Sequence, residues 1–411
     1  MTTDAKVTFN PFDPEFRKNP YPTYHRLLVE DPVQESPFGG LVLSRYADCT
    51  ALLRDSRASS DFRKSEAFRQ QAVAQGLDYD VLLEENRSFL FLDPPDHTRL
   101  RGLVNKAFTP RVIEGLRPRI AQIVGELLDA ALKRGEMDVM EDFAYPLPVQ
   151  IICDMLGVPV EDNARFRVWT SEAARSLDPD FALPQEEIER RQRTFDAFHE
   201  YFEDLVTKRR AEPQDDLISA LIAVEDEGTR LSHDELISTC ILVLIAGHET
   251  TVNLIGNGTL QLLRHRDQLE LLRARPELIK TAVEEVLRFD QPVQTTGRLA
   301  LEDMQFGDKV LRKGQQAIIL IGAANHDPAQ FPEPQRLDIT REDNRHIAFG
   351  MGIHFCLGAP LARVEGQIAL GELSRRLSGL ELVTDDPPYK ENLVLRGLAS
   401  LPVRFHAGGA A

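Results

Sequence analysis

The segment Phe349-Gly-Met-Gly-Ile-His-Phe-Cys-Leu-Gly358 concentrates residues suited to chemistry. Its glycines at 350, 352 and 358 permit positive φ and close backbone approach. A helical pattern follows at once, so Cys356 is expected in a tight loop at a helix N-terminus. Backbone N–H groups and the helix dipole favour a thiolate there. A thiolate so held can ligate iron and push electron density onto it, which favours O–O cleavage. The competing reading is a buried structural cysteine in a glycine-rich turn. Cys49, Cys153 and Cys240 are read in that second way, as core or surface fillers.

A second constellation, Ala246-Gly-His-Glu-Thr-Thr251, interrupts an apolar helix with a carboxylate and two hydroxyls. A buried carboxylate is costly unless it is hydrogen-bonded or needed. Thr hydroxyls can bond backbone carbonyls, and Thr beside Gly weakens the helical ladder locally. A groove holding water could result. Dioxygen chemistry requires protons, and an acid with an alcohol forms a relay for them. Glu249 is the candidate acid and Thr250 the candidate alcohol, while His248 is read as a core residue. Glu285 and Arg288 lie i,i+3 on one helix face and can pair. In Asp93-Pro-Pro-Asp-His-Thr-Arg-Leu-Arg101, Asp96 is the expected N-cap. His97 and Arg101 then share a face, and Arg99 points elsewhere.

These segments together resemble the cytochrome P450 family, the haem-thiolate monooxygenases. FGMGIHFCLG matches the haem-binding signature F-x-x-G-x-[HR]-x-C-x-G at every defined position, and AGHET matches the acid–alcohol motif. The motifs follow in family order, and the resemblance spans most of the chain. It implies the mostly helical P450 fold with a minor β region, as one domain over 1–411. The implied cofactor is haem b with Cys356 as proximal ligand, framed by Phe349, Gly350 and Gly358. Its propionates would be bound by His97, Arg101, Arg298 and His354. Glu285 and Arg288 would join Arg336 to hold the cysteine loop. The pocket maps to residues 60–90, Leu242, Val243, Ala246, Val293, Gln294, Thr295, Thr296, Gly397 and Leu398. Those residue types imply an apolar small-molecule substrate with a few polar groups.

The implied reaction inserts one atom of O2, by hydroxylation or epoxidation. Electrons would come from NADH or NADPH through a ferredoxin reductase and a ferredoxin or flavodoxin. Lys106, Arg111, Arg345 and Arg363 form a candidate basic patch for that acidic partner. A peroxide-driven oxygenase and a non-catalytic haem-binding sensor or carrier are the alternatives. The acid–alcohol pair argues against the first, and no output segment is evident for the second.

The elements positioning these residues follow from periodicity. A Pro-rich arm precedes a short helix near 24–30, a strand at 40–45 and a helix at 47–54. Residues 56–90 read as a long loop with short helices. Residues 96–135 read as helical, broken near Pro110 and Pro118. Helices are expected at 148–156, at 161–176 and at 184–210, the last with Phe195, Phe198, Phe202 and Leu205 on one face. Ser232 and Glu235 form a capping-box sequence that opens a long apolar helix to about Arg264. The next helix begins near Pro276 and ends before Pro292. Short strands are expected at 304–306, 309–311 and 316–321, a final helix at 357–377, and strand character at 393–395 and 403–406.

Composition narrows the setting. The 411 residues are 42% hydrophobic and contain no low-complexity linker. A net charge of −17 argues against nucleic acid or an anionic membrane as partner. Four dispersed cysteines in a chain of this size point to a reducing compartment. The N-terminus lacks a signal-type apolar region. The longest apolar run, 240–247, is far below the roughly 20 residues of a membrane span, so a cytoplasmic protein is expected.

Overall fold

The computed structural model describes residues 6–406, apart from 37–38, 75, 77, 80–87 and 227–230. Helices dominate. In chain order they are α1 (Pro14–Lys18), α2 (Tyr21–Glu30), α3 (Tyr46–Arg54), α4 (Glu66–Ala74), α5 (Asp96–Val104), α6 (Pro110–Leu132), α7 (Pro146–Leu156) and α8 (Asn163–Ala174). There follow α9 (Gln185–Ala211), α10 (Leu217–Asp226), α11 (His233–Arg264), α12 (Arg266–Ala274), α13 (Ile279–Phe289), α14 (Ile321–Ala324) and α15 (Ala359–Arg376).

The organising element is α11. Its capping box is formed: the Ser232 hydroxyl accepts from Glu235 N–H, and the Glu235 carboxylate accepts from Ser232 N–H. The helix is apolar nearly all round, as a core helix must be. Its composition would also suit a membrane span, yet 67% of its most apolar window is buried inside the fold. Small residues let its neighbours approach. A Cβ on Gly247 would lie 3.0 Å from Ile152 of α7, and one on Gly258 would lie 2.8 Å from Leu370 of α15.

The β component is minor. A five-stranded sheet runs in the order β1 (Val33–Glu35), β2 (Leu41–Leu43), β8 (Gln316–Leu320), β5 (Thr295–Ala300), β3 (Ala58–Ser59), with only β2–β8 parallel. A second sheet orders β4 (Glu136–Asp138), β10 (Pro402–Arg404) and β9 (Glu381–Leu382), and β6 (Met304–Phe306) pairs with β7 (Lys309–Leu311). The main core packs α5–α11 against α15, and a smaller one lies under the first sheet.

Several expectations need correction. α6 runs through Pro118 without a break. Its apolar stripe of Ile113, Ile120, Ile123, Val124 and Leu128 is buried on both sides of the proline, and this packing outweighs one lost hydrogen bond. Pro95, not Asp96, is the N-cap of α5; Asp96 is the first helical residue and its carboxylate meets Arg99 at 3.0 Å. Residues 393–395 form no strand, only an isolated bridge between Leu395 and Val293. Several elements were not anticipated, among them α10, α12 and β5. α12 has a narrow buried stripe, Gln268, Leu269 and Leu272, within a polar segment. β5 carries Gly297 and Arg298, atypical strand residues.

Candidate active site

The cysteine loop is built as its glycines suggest, with one difference. Gly350 and Gly352 adopt φ of +69° and +70°. A Cβ on Gly352 would fall 2.5 Å from the Leu53 carbonyl oxygen, so both conformation and contact demand glycine there. Gly358 has an ordinary φ of −79° and serves as the N-cap of α15. The Cys356 amide donates to Phe349 O at 2.9 Å, closing the loop. Cys356 is half-buried. Burial pushes its thiol pKa up, against the lowering pull of the Gly358 and Ala359 amides and of Arg101 and Arg363. The sulfur thus faces donors and cations at a helix start, an environment suited to anionic sulfur bound to a metal ion.

Beside this loop lies a group of donors with little to bind. The rings of His97 and His354 are 4.2 Å apart. His97 is buried with neither ring nitrogen hydrogen-bonded, and His354 Nε2 is equally bare. Burial, with neighbouring cations, pushes His354 down to about 3 and lowers His97. Arg298, on β5, is buried; its guanidinium donates to Gly297 O at 2.7 Å and meets no carboxylate among the described residues. Burial pushes its pKa down to about 10. Arg101 donates to the Phe355 carbonyl. Two guanidinium groups and two imidazoles with no carboxylate in contact among the described residues are suited to an anionic ligand that accepts their hydrogen bonds. The residues therefore fit a group carrying carboxylates beside a metal that the sulfur can hold.

The second constellation lies within α11, which runs unbroken through Ala246–Thr251 rather than opening. Thr250 Oγ1 donates to Ala246 O at 2.9 Å. Its oxygen can still accept a hydrogen bond. Glu249 is buried; one carboxylate oxygen accepts from Lys390 Nζ, and Oε2 has no partner among the described residues. His248 is a core residue, 2.6 Å from Thr170 Oγ1. Leu242, Ala246 and Thr250 follow at i,i+4 on the less buried face of α11, and Val293, Thr295 and Thr296 are half-buried. Val243 and Leu398 are closed into the main core. Gln294 turns away from the expected pocket: it accepts from Tyr24 Oη at 3.2 Å and donates to Gln291 O at 2.8 Å, both towards the N-terminal arm. Residues 75, 77 and 80–87 of the expected pocket loop lie outside the described residues.

The salt-bridge cluster differs in its third member. Glu285 and Arg288 form a fully buried two-pronged pair, both contacts 2.8 Å. Arg336 does not join it. Its side chain is 60% exposed and reaches only Glu333 at 3.6 Å, while its backbone carbonyl accepts from Arg288 Nη2 at 3.1 Å. Arg341 takes the place, 3.1 Å from Glu285 Oε2, and Asn344 donates to the same oxygen at 3.1 Å. The basic patch is also thinned. Arg363 is bound to Glu284 at 2.7 and 2.9 Å and lies 4.6 Å over the Phe349 ring. Glu284 is held down to about 2: burial opposes its charge, but His346 and Arg363 outweigh burial. Arg345 pairs with Asp343, and Lys106 and Arg111 stay exposed.

Comparison with known proteins covers nearly the whole chain. The family model described as Cytochrome P450 matches residues 51–405. The polyketide biosynthesis cytochrome P450 PksS of Bacillus subtilis is 41% identical over 411 residues, covering 97% of this chain and 98% of that protein. The vitamin D(3) 25-hydroxylase of Pseudonocardia autotrophica is 42% identical over 413 residues, covering 98% of each. The crystal structure of CalO2 superposes with a TM-score of 0.90 at 38% identity, covering 98% of this chain and 100% of that one.

Proposed function

The chain belongs to the cytochrome P450 family, and from that premise we propose that it hydroxylates or epoxidises an apolar small molecule, inserting one atom of O2. The family is one of oxygen-incorporating oxidoreductases that use haem and O2. In this chain Cys356 would ligate the iron of haem b, and His97, Arg101, Arg298 and His354 would bind its propionates. The haem, when bound, supplies dioxygen activation.

The remaining work falls to the chain. Glu249 and Thr250 would form the proton relay. Thr250 Oγ1, anchored to Ala246 O, can accept from a water without losing its place. Leu242, Ala246 and Val293 exclude water from the substrate, and Thr295 and Thr296 can orient a hydroxyl or carbonyl on it. Polyketides and secosteroids, which the relatives' names indicate, have this mix of apolar bulk and few polar groups.

We assign electron supply to NADH or NADPH through a ferredoxin or flavodoxin and its reductase. Exposed Lys106 and Arg111 support docking of an acidic carrier. The intact acid–alcohol pair favours this over a peroxide-driven oxygenase. A single domain and a cytoplasmic setting accord with the acidic surface and the buried free cysteines Cys49, Cys153 and Cys240.

The observation that carries the proposal is the group of donors beside Cys356 that meet no carboxylate among the described residues, in a chain that also holds the Glu249–Thr250 pair. Purified haem-loaded protein is given NADH, surrogate ferredoxin and reductase, and a panel of apolar compounds. Compound-dependent NADH consumption with an oxygenated product is expected. Product formed only from peroxide, or haem binding with no product from any route, would overturn it.

A further inference from the structure

Lys390 stands 141 residues from Glu249 in sequence, yet it meets the candidate acid in the core. Its Nζ donates to Glu249 Oε1 and, at 3.0 Å, to Asn253 Oδ1, one helical turn further along α11. It lies 4.9 Å from the centre of the Tyr145 ring. The two charged side chains are 13% and 2% exposed. Burial disfavours the ammonium, but Glu249 and Tyr145 outweigh it, and the Lys390 pKa is raised above the lysine range.

Backbone geometry explains how the lysine is held. Lys390 N donates to Gly397 O at 2.9 Å, and Ala399 N donates to Pro388 O at 2.8 Å, with a bridge between Tyr389 and Leu398. Residues 388–390 and 397–399 therefore form two arms of one turn. That turn sits directly on α11, because a Cβ on Gly397 would overlap the Asn253 side chain. Arg396 locks the same turn: its guanidinium lies 4.0 Å over the Tyr389 ring, bonds Asp290 at 2.8 Å, and donates to the carbonyls of Arg17 and Lys18. A small cleft lined by Phe16, Tyr24, Leu393 and Gly397 has Lys390 in its wall.

We propose that Lys390 is a positioning residue for proton delivery, fixing Glu249 by one carboxylate oxygen and leaving Oε2 free for the relay. The inference rests on the monooxygenase reading. An acid that swings freely could satisfy both oxygens elsewhere; one pinned at Oε1 presents the other in a single direction. The pairing also ties the acid to the C-terminal turn, whose other arm carries Gly397 and Leu398.

Two measurements test it. Amine labelling with acetic anhydride, read by mass spectrometry, needs no turnover. Lys390 should be among the least labelled lysines, and Glu249→Gln should raise its labelling at least threefold while other lysines hold constant. Unchanged labelling overturns the ion pair and the inference with it. Turnover is then measured with whichever compound gives the largest spin-state shift among vitamin D3, a polyketide macrolactone and straight-chain fatty acids. Lys390→Met should lower product formed per NADH at least threefold and raise peroxide. Its ferrous–CO spectrum should stay unchanged, and the Kd for the compound should move less than twofold. Lys390→Arg should restore most of the coupling, and Lys390→Met should add nothing to Glu249→Gln. Wild-type coupling in Lys390→Met overturns the inference alone; wild-type coupling in Glu249→Gln overturns the relay as well.

Discussion

The corrected salt-bridge cluster makes a graded prediction for Arg288, Arg341 and Arg336. Glu285 is fully buried, with Oε1 accepting from Arg288 Nη2 at 2.8 Å and from the Asp338 amide at 3.0 Å. Its Oε2 accepts from Arg288 Nε, Arg341 Nε and Asn344 Nδ2 at 2.8, 3.1 and 3.1 Å. Arg288→Met removes the main counter-charge and strips a donor from the carbonyls of Asn325, Pro334 and Arg336. Breaking such a buried pair costs about 3–5 kcal/mol. Arg341→Met removes one charge-assisted bond to the same carboxylate, about 1.5–3 kcal/mol. Arg336→Met removes a surface contact at 3.6 Å, about 0–1 kcal/mol. The backbone carbonyl that Arg336 lends to Arg288 survives the substitution. Urea unfolding at pH 7, followed by far-ultraviolet circular dichroism, ranks the three. The order Arg288, Arg341, Arg336 should hold, and only the Arg336 value should shrink appreciably in 1 M salt. A loss for Arg336→Met equal to or above that for Arg341→Met would refute the assignment of the third cation.

Three further outcomes are expected. Cys356→His should bind haem yet lose the strongly red-shifted Soret band of the ferrous–CO complex; retention of that band would remove the ligand assignment. Thr250→Ala should keep haem and substrate binding but divert electrons to peroxide, read as product and peroxide per NADH, and fully coupled turnover would show that the hydroxyl is dispensable. His248 and His326 are each pushed down to about 3, chiefly by burial. Below the unfolded value near 6.5 the unfolded chain takes up protons that the folded chain does not, so stability falls as pH drops from 6.5 towards 3. The loss is about 2 kcal/mol per histidine by pH 5. Urea midpoints at pH 8 and 5 measure it, and His326→Gln should flatten the dependence. An equally steep loss in that variant would assign the acid sensitivity elsewhere.

Much of the fold was legible because its signals are local. The Ser232–Glu235 capping box marks the start of α11 with one side chain and one return bond, and the apolar pattern carries it to Arg264. Pro118 misled because a proline's local cost was weighed without the packing of α6 that offsets it. β5 was missed for a related reason. Its residues, Thr295–Ala300, are held as a strand by pairing with the neighbouring strands β3 and β8 more than by strand propensity.

The site divides along the same line. Cys356, Gly350 and Gly352 lie within one loop whose backbone geometry the residues themselves enforce, so a contiguous motif suffices to find them. Arg341 and Lys390 act on carboxylates 56 and 141 residues away. Nothing local distinguishes them from surface cations, and Arg336 was preferred because its position matches the family pattern, although only its backbone touches the cluster. What separates partner from bystander is the burial of the carboxylate. A charge with no water must find a cation, and the fold decides which one arrives. The converse holds for His97, Arg298 and His354. Among the described residues they meet no carboxylate, and Arg298 reaches only the Gly297 carbonyl, so the place is suited to a ligand that supplies acceptors.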